Sequence, residues 1–300
     1  MEKGGTQVRK HLLVLCLLAL ASFAVVAQDY PIGGWVDEIV YFFENDQSKV
    51  LDMMASGDAH FFGNNFDAER QADILASGLP YDVSYGSYNE YMYSPAGPVL
   101  NDGTLNIFGD GRIRQAMQYL VDRDFLIDEY LFGLGVPMVG MFNPNFPTAG
   151  GIGPTIRELQ ITYAPDEAKG LQIINDVMIE LGAELVNGKW NYNGEPVVVI
   201  ILIRTEDERL QLGDYLADRL ELAGMTVDRH YGLNAELQAF WVSSDPWDGL
   251  WHAYTAGWIA NTIDRSENSQ HLVYDTPDGW GIPLWQAYNP TDESSALARD

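Results

Sequence analysis

The sequence has 300 residues, and 47% of them are hydrophobic, so the chain is able to bury a substantial core. Its net charge of −26 at pH 7 excludes nucleic acid and anionic lipid as general partners, because both would be repelled. Solubility or a salty medium explains this charge more simply than a specific cationic partner does.

The N-terminal end has the layout of a secretory signal peptide. A basic start is followed by an apolar stretch over residues 12–26 and by small residues that predict cleavage after Ala27. We therefore expect the remainder to be exported to the periplasm or the cell-envelope exterior. An uncleaved anchor helix is the alternative, although the stretch is shorter than the about 20 residues that span a bilayer.

The one cysteine, Cys16, lies inside this apolar stretch. Lipid attachment at Cys16 is a further alternative, but Leu15 precedes it where a small residue is needed. If residues 1–27 are removed, no cysteine remains for a disulfide, a thiol nucleophile or a metal site.

The next part of the chain is predicted to begin with short elements. Residues 36–43 have the composition of a strand, and capping residues indicate helices over 48–54 and 67–76. Aromatic and small polar residues alternate over 81–93, which suits one or two strands.

From residue 110 onward, helical patterns alternate with strand patterns. Apolar spacing and caps predict helices over 110–121, 124–131, 164–181, 205–223 and 235–242, and strands over 197–203, 225–231 and 250–256. Pro165 is expected in a first helical turn, and Thr205 with Glu208 forms a candidate capping box. Asn-Gly pairs at 187–188 and 193–194 predict tight turns, and 143–153 reads as loop. This order indicates parallel βαβ units, so the predicted fold class is α/β.

Several stretches in this region follow one another in a familiar order. The first stretch begins Asp110-Gly-Arg-Ile-Arg-Gln-Ala-Met, continues to an Asp-Arg pair and ends in a Gly-containing loop. The other stretches lie at residues 163–171, 193–196, 216–227 and 248–258. Together they resemble the extracytoplasmic solute-binding proteins of family 5, the oligopeptide, dipeptide and nickel binders of ABC importers. The resemblance extends from about Gly34 to about Trp258.

The resemblance implies a type II periplasmic-binding-protein-like fold, with mainly the second lobe present and a remnant of the first. We expect a signal peptide over 1–27, the remnant over 28–90, the second α/β lobe over 91–258 and an incomplete return segment over 259–300. A partial gene, a truncated sequence or a degenerate copy would each produce this arrangement.

The resemblance also implies a function. The chain is expected to be a monomeric solute-binding subunit that closes over a peptide or similar small polar solute and delivers it to an ABC permease. Two strands near 91–94 and Trp258 would join the lobes. Ligand contacts are expected from aromatic Trp251, Tyr254 and Trp258 and from polar Tyr93, Ser94 and Asn261, with core packing as the alternative for each aromatic.

One position departs from the family pattern. In the peptide binders that the sequence resembles, an aspartate after a Gly-Trp pair holds the ammonium group of the ligand. The matching residue after Trp258 is Asn261, an amide without charge. Asp264 is a possible substitute, and Arg265 could pair with Asp264 or meet a ligand carboxylate.

Nothing in the sequence demands catalysis. It contains no nucleophile elbow, phosphate loop or dinucleotide fingerprint, and its histidines have no metal-ligand spacing. We therefore predict no enzymatic activity, no cofactor and no metal. A secreted glycoside hydrolase that uses two carboxylates beside a tryptophan-lined cleft is the enzyme alternative, and a truncated, non-binding remnant is another.

Overall fold

The structure is a computed structural model that describes residues 36–83, 87–140, 144 and 151–258. The chain divides into two units, and residues 36–46 are the described part of the first. The strand predicted over 36–43 is wrong, because these residues have no regular secondary structure. Tyr41 and Phe43 are 90% and 85% exposed, and no described strand pairs with this stretch to satisfy its backbone.

The second unit contains the regular elements. The helices are α1 (Gln47–Ser56), α2 (Gln71–Ser77), α3 (Gly111–Leu120), α4 (Arg123–Tyr130), α5 (Gly153–Thr162), α6 (Glu167–Glu180), α7 (Arg209–Leu222) and α8 (Asn234–Trp241). The strands are β1 (Tyr88–Tyr93), β2 (Glu184–Val186), β3 (Lys189–Tyr192), β4 (Glu195–Pro196), β5 (Val198–Arg204), β6 (Thr226–Gly232) and β7 (Ala253–Trp258). Among the described residues, no helix is both long enough and apolar enough to cross a membrane.

The main sheet has the strand order β1-β7-β5-β6. Strand β5 runs parallel to both β6 and β7, as the βαβ pattern predicts, whereas β1 runs antiparallel to β7. The register pairs Tyr88 with Trp258 and Tyr93 with Ala253, so β1 begins where β7 ends. The α/β fold class is confirmed. The predicted lobe boundary at residues 90–91 falls inside β1.

One face of this sheet is covered by a large aliphatic core. Residues from α3, α6 and α7 pack there against β5, and we call this set the larger core; among its fully buried members are Ile113, Met117, Met178, Ile201, Ile203, Leu216 and Leu220. Close packing depends on Gly213, because a Cβ there would lie 2.6 Å from a methyl carbon of Ile203. Helix α7 therefore lies directly on the sheet.

The opposite face carries a smaller core that is rich in aromatic residues. Its buried members are Met92, Leu202, Leu237, Trp251, Tyr254 and Ala256, and Phe240, Trp241 and Trp258 pack against them. The rings of Trp241 and Tyr254 are stacked with their centroids 5.0 Å apart. Helix α8 thus fixes β7 from the face opposite α7.

A separate three-stranded sheet, β2-β3-β4, is built around the two predicted tight turns. Asn187 and Asn193 both adopt positive φ, at 51° and 53°, and a glycine follows each, as a tight hairpin turn requires. Trp190 on β3 is buried, and its indole N–H donates to the carbonyl of Ala223, 2.9 Å away. Both turn predictions are confirmed.

Three expectations about helices need correction. Asp166, whose carboxylate accepts from the backbone N–H of Lys169 at 3.0 Å, caps α6, so Pro165 precedes the helix. The predicted capping box of Thr205 and Glu208 is wrong, because α7 begins only at Arg209. The carboxylate of Glu208 instead accepts a hydrogen bond from the side chain of Asn89 at 2.8 Å. Helix α5 was not expected at all, since its start at Gly153 lies at the end of the Pro- and Gly-rich stretch.

Candidate functional site

Strands β5, β6 and β7 all end at the same edge of the main sheet, which we call the carboxyl edge. Their last residues are Arg204, Gly232 and Trp258. In open α/β sheets, ligands bind outside the carboxyl ends of parallel strands. The antiparallel strand β1 starts at this same edge, where Tyr88 lies opposite Trp258. The carboxyl edge is therefore the candidate ligand-binding site.

Trp258 and Glu90 form a linked pair at this edge. The indole N–H of Trp258 donates to Oε1 of Glu90 over 2.9 Å. Glu90 lies opposite Ala256 in the register, so both members share the face that carries the smaller core. Both side chains are partly exposed.

A second polar group connects the end of β5 to the start of α8. Arg204 donates from Nε and Nη2 to the two carboxylate oxygens of Glu206, at 3.0 and 3.1 Å. Glu206 also accepts from the backbone N–H of Asn234 at 2.7 Å, and Tyr254 donates to the Asn234 side chain at 2.9 Å. Burial alone would raise the pKa of Glu206, but these hydrogen bonds and the Arg204 charge hold it below its ordinary value.

A third group lies behind the end of β7. Arg209 donates to the carboxylate of Asp207, with Nε 2.7 Å from Oδ1. A Cβ on Gly257 would lie 2.9 Å from Nη1 of Arg209 and 3.0 Å from Oδ1 of Asn89, so a larger residue there would require these side chains to shift. Burial raises the pKa of Asp207, yet the hydrogen bonds and charge of Arg209 outweigh it, and the pKa falls below its usual value.

These contacts decide what the Asp207-Glu208 pair of carboxylates can do. A general acid in a glycoside hydrolase needs a raised pKa, whereas Asp207 has a lowered one and is held by Arg209. Glu208 accepts from Asn89. Within the described residues, no cluster of three or more His, Cys, Asp or Glu could hold a metal ion. This edge favours binding through hydrogen bonds and stacking.

The predicted site residues do not form one cluster. Tyr254 and Trp251 are 2% and 1% exposed and lie in the smaller core, with Trp258 at its margin. Tyr93 lies on the opposite face, where its ring stacks on Phe108 at 4.3 Å and burial raises its pKa.

Ser94 is completely buried, and its backbone N–H donates to the carbonyl of His252 over 2.9 Å. Predicted Asn261, Asp264 and Arg265 lie outside the described residues.

The sequence reasoning missed Glu90, Arg204 and Arg209. Strand alternation contained a signal for Glu90, because a residue two positions from Met92 shares its face. Charged residues that follow directly after a buried strand were the signal for Arg204. The sequence also did not predict two surface depressions. One is lined by α5 and the other by residues 137–140 together with α5, and neither is lined by Glu90, Arg204 or Arg209.

Comparison with known proteins now identifies the family. The family model described as bacterial extracellular solute-binding proteins, family 5 middle, matches residues 27–280. The chain belongs to this family. Its members are solute-binding proteins. No curated protein matches the chain.

Solved structures of solute-binding proteins share the fold. NikZ from Campylobacter jejuni in complex with Ni(L-His) is 15% identical with a TM-score of 0.54, and the match covers 81% of this chain and 44% of NikZ. The oligopeptide-binding protein AppA from Bacillus subtilis, in complex with a nonapeptide, is 15% identical with a TM-score of 0.53, over 86% and 47%. A mannohexaose-bound periplasmic oligopeptide-binding protein from Thermotoga maritima is 14% identical with a TM-score of 0.54, over 85% and 47%.

These matches show a periplasmic-binding-protein-like fold. They also show that the chain spans less than half the length of the solved proteins that it resembles. The described sheet and its covering helices correspond to a lobe of that fold, as the sequence predicted.

Proposed function

We propose that the chain acts as the extracytoplasmic solute-binding subunit of an ABC importer. It captures a peptide or a similar small polar solute, closes over it by a hinge motion and delivers it to a membrane permease. Family membership supports this proposal, as do the ligands of the solved relatives, which are a nonapeptide, a nickel complex and an oligosaccharide.

The observation that carries the proposal is the Glu90–Trp258 pair at the carboxyl edge. It presents an indole ring and a carboxylate at the edge of the sheet where β1 begins and β7 ends. Aromatic surface with a few placed polar groups is the usual make-up of a small-molecule site. Both side chains are partly exposed.

The other predicted residues have distinct parts in this proposal. Asn261, Asp264 and Arg265 follow Trp258 in the sequence and supply further polar contacts to the solute. Tyr254 acts through Asn234, to which its hydroxyl donates at 2.9 Å. Tyr93 packs against the larger core, and Ser94 and Trp251 are buried. In this proposal the three residues do not contact the solute but stabilise the ends of β1 and β7.

The cellular setting follows from the same proposal. The predicted signal peptide exports the chain, which works as a monomer outside the cytoplasm and meets its permease at the membrane surface. Its acidic charge keeps it away from nucleic acid and anionic lipid.

A binding titration tests the proposal. The purified chain is mixed with a tetrapeptide pool, with mannohexaose and with Ni(L-His), while tryptophan fluorescence and product formation are followed. We expect a saturable fluorescence change without turnover for at least one probe. Product formation from a probe would instead support the hydrolase alternative, and the absence of any saturable change would support the non-binding remnant.

A further inference from the structure

We propose that Asn193 is a site of spontaneous deamidation and that the fold protects Asn187 from the same reaction. Asn187 and Gly188 form the turn between β2 and β3, the first turn, and Asn193 and Gly194 form the turn between β3 and β4, the second turn. The proposal does not depend on the binding function, because neither turn belongs to the main sheet that carries the candidate site.

The reaction needs only the chain and water. The backbone nitrogen of Gly194 attacks Cγ of Asn193, the bond from Cγ to Nδ2 breaks, and ammonia leaves with the proton of the glycine N–H. Water then opens the five-membered imide at either of its carbonyl carbons, which gives aspartate or isoaspartate. No electrons are transferred. Glycine hinders the attack least because it has no side chain.

Both turns meet the local requirements for this reaction. Each asparagine and each glycine is exposed. No atom of the described residues lies within 4 Å of a Cβ built on Gly188 or Gly194, so the imide ring has room in either turn. Asn187 and Asn193 are held at φ of 51° and 53°, and ring closure requires rotation of the asparagine backbone out of this conformation. Each turn must therefore open locally before it reacts.

The first turn is fastened on its glycine side to the loop between α7 and β6. Lys189 donates from Nζ to the carbonyl of Met225 over 2.7 Å. Trp190 donates from its backbone N–H to the carbonyl of Gly224 and from its indole N–H to that of Ala223, each over 2.9 Å. The attacking nitrogen belongs to the glycine, so freeing it means breaking these hydrogen bonds.

The second turn is held less firmly on its glycine side. Glu195 and Pro196, which make up the whole of β4, are both exposed. Proline has no backbone N–H, so Pro196 cannot donate to β3. The next residue, Val197, is buried, and its N–H donates to the carbonyl of Trp190 over 2.9 Å. The second turn can therefore open together with β4 while Val197 stays in place.

The products do not fit the second turn as asparagine does. Isoaspartate places Cβ in the main chain and so lengthens a two-residue turn whose flanking residues, Tyr192 and Glu195, are paired across β3 and β4. Both products also add a negative charge close in sequence to the Glu195 carboxylate, in a chain whose net charge is already −26. We expect the modified hairpin to be less stable, which weakens the packing of Tyr192 against the larger core.

Peptide mass spectrometry of the unchanged chain tests the proposal. The folded chain is incubated at mildly alkaline pH, and trypsin then cleaves after Lys189, so that the two asparagines fall in different peptides. We expect conversion of amide to carboxylate to accumulate at least about fivefold faster at Asn193 than at Asn187, because the two turns open with different free energies. Equal rates, or a faster rate at Asn187, would overturn the proposal.

The same incubation in guanidinium chloride is the control. Both turns are then freed from the fold, so the two asparagines should convert at similar rates. If the ratio of rates is the same with and without denaturant, the neighbouring sequence sets it, and protection of Asn187 by the fold is overturned. If Asn193 stays unmodified in the folded chain during the time in which it converts in denaturant, the modification site itself is overturned.

Two matched variants test the consequence of the reaction. Asn193→Gly removes the reacting side chain and keeps a residue that tolerates positive φ, and Asn187→Gly makes the same change in the first turn. After incubation, the urea midpoint should fall for the unchanged chain and for Asn187→Gly, and it should keep its starting value for Asn193→Gly. An equal fall in all three proteins would contradict the effect assigned to Asn193.

Discussion

The two faces of the main sheet differ in composition, and the difference separates what holds the fold from what presents the candidate site. The larger core is mostly aliphatic and is closed by three helices. The smaller core is richer in aromatic residues and is covered by α8, and Trp258 lies at its margin beside Glu90. Large changes in stability are therefore expected from the first face, and changes in recognition from the margin of the second.

The largest expected effect is a cavity in the larger core. Leu216 is fully buried on α7, so Leu216→Ala should lower the free energy of unfolding by about 2–5 kcal/mol, as measured by urea denaturation. Leu222→Ala is the matched control, since Leu222 lies on the same helix and is 48% exposed. Equal effects of the two substitutions would mean that α7 does not bury the face described here.

His252 should make stability depend on pH. Burial lowers its pKa to about 4, and its Nδ1 accepts from the backbone N–H of Ile200 at 2.8 Å, which requires the neutral ring. The unfolded chain binds a proton near pH 6.5, so stability is complete above that pH and falls as pH drops toward 4, by about 3 kcal/mol at most.

The measurement compares the chain with His252→Asn, which retains a possible acceptor but does not titrate. Unfolding free energies are determined at pH 7 and pH 4.5, and the loss on acidification should be smaller in the variant. Carboxylates titrate in both proteins and largely cancel. A loss of the same size in the two proteins would show that His252 is not the group responsible.

A methyl group on Gly257 should disturb the end of β7. Its Cβ would approach the guanidinium of Arg209, the amide of Asn89 and, at 3.1 Å, the backbone oxygen of Tyr88. We expect Gly257→Ala to lower the free energy of unfolding by about 1–3 kcal/mol. Gly151→Ala serves as the control because no atom of the described residues lies within 4 Å of its Cβ position. Tolerance of both substitutions would mean that β7 and Arg209 are further apart than described.

The smallest expected effect is at Tyr254. Tyr254→Phe removes the hydroxyl that donates to Asn234 and keeps the ring stacked on Trp241, so it should cost about 1 kcal/mol in thermal or urea unfolding. Tyr41→Phe, at a residue that is 90% exposed, should cost nothing measurable. A cost of several kcal/mol at Tyr254 would mean that the smaller core depends on this hydrogen bond more than on its packing.

The fold was more predictable from the sequence than the site. The buried run of β5 and the two Asn-Gly turns are encoded locally, through strand composition and positive-φ residues, and the structure agrees. Residues 36–43 have the same local character, but a strand also needs a partner, and composition says nothing about which segment supplies one. The start of α7 was misjudged because Asn89, more than a hundred positions earlier, holds Glu208.

The candidate site depends on contacts that local sequence does not reveal. Family resemblance pointed to Trp258, but its partner Glu90 is 168 positions away and is brought near only by the β1–β7 register. Strand alternation alone could place Glu90 on a face and not beside a particular indole. The burial of Ser94 and Trp251 likewise follows from where β1 leaves the sheet and where β7 enters it.

A fluorescence titration with the chain and its Trp258→Phe variant tests the central claim most directly. We expect the tetrapeptide pool to produce a saturable change in tryptophan emission in the unchanged chain, without product formation, and a much smaller change with weaker affinity in the variant. An identical titration curve for the two proteins would contradict the assignment of the carboxyl edge as the binding site, and turnover of a probe would contradict the binding function itself.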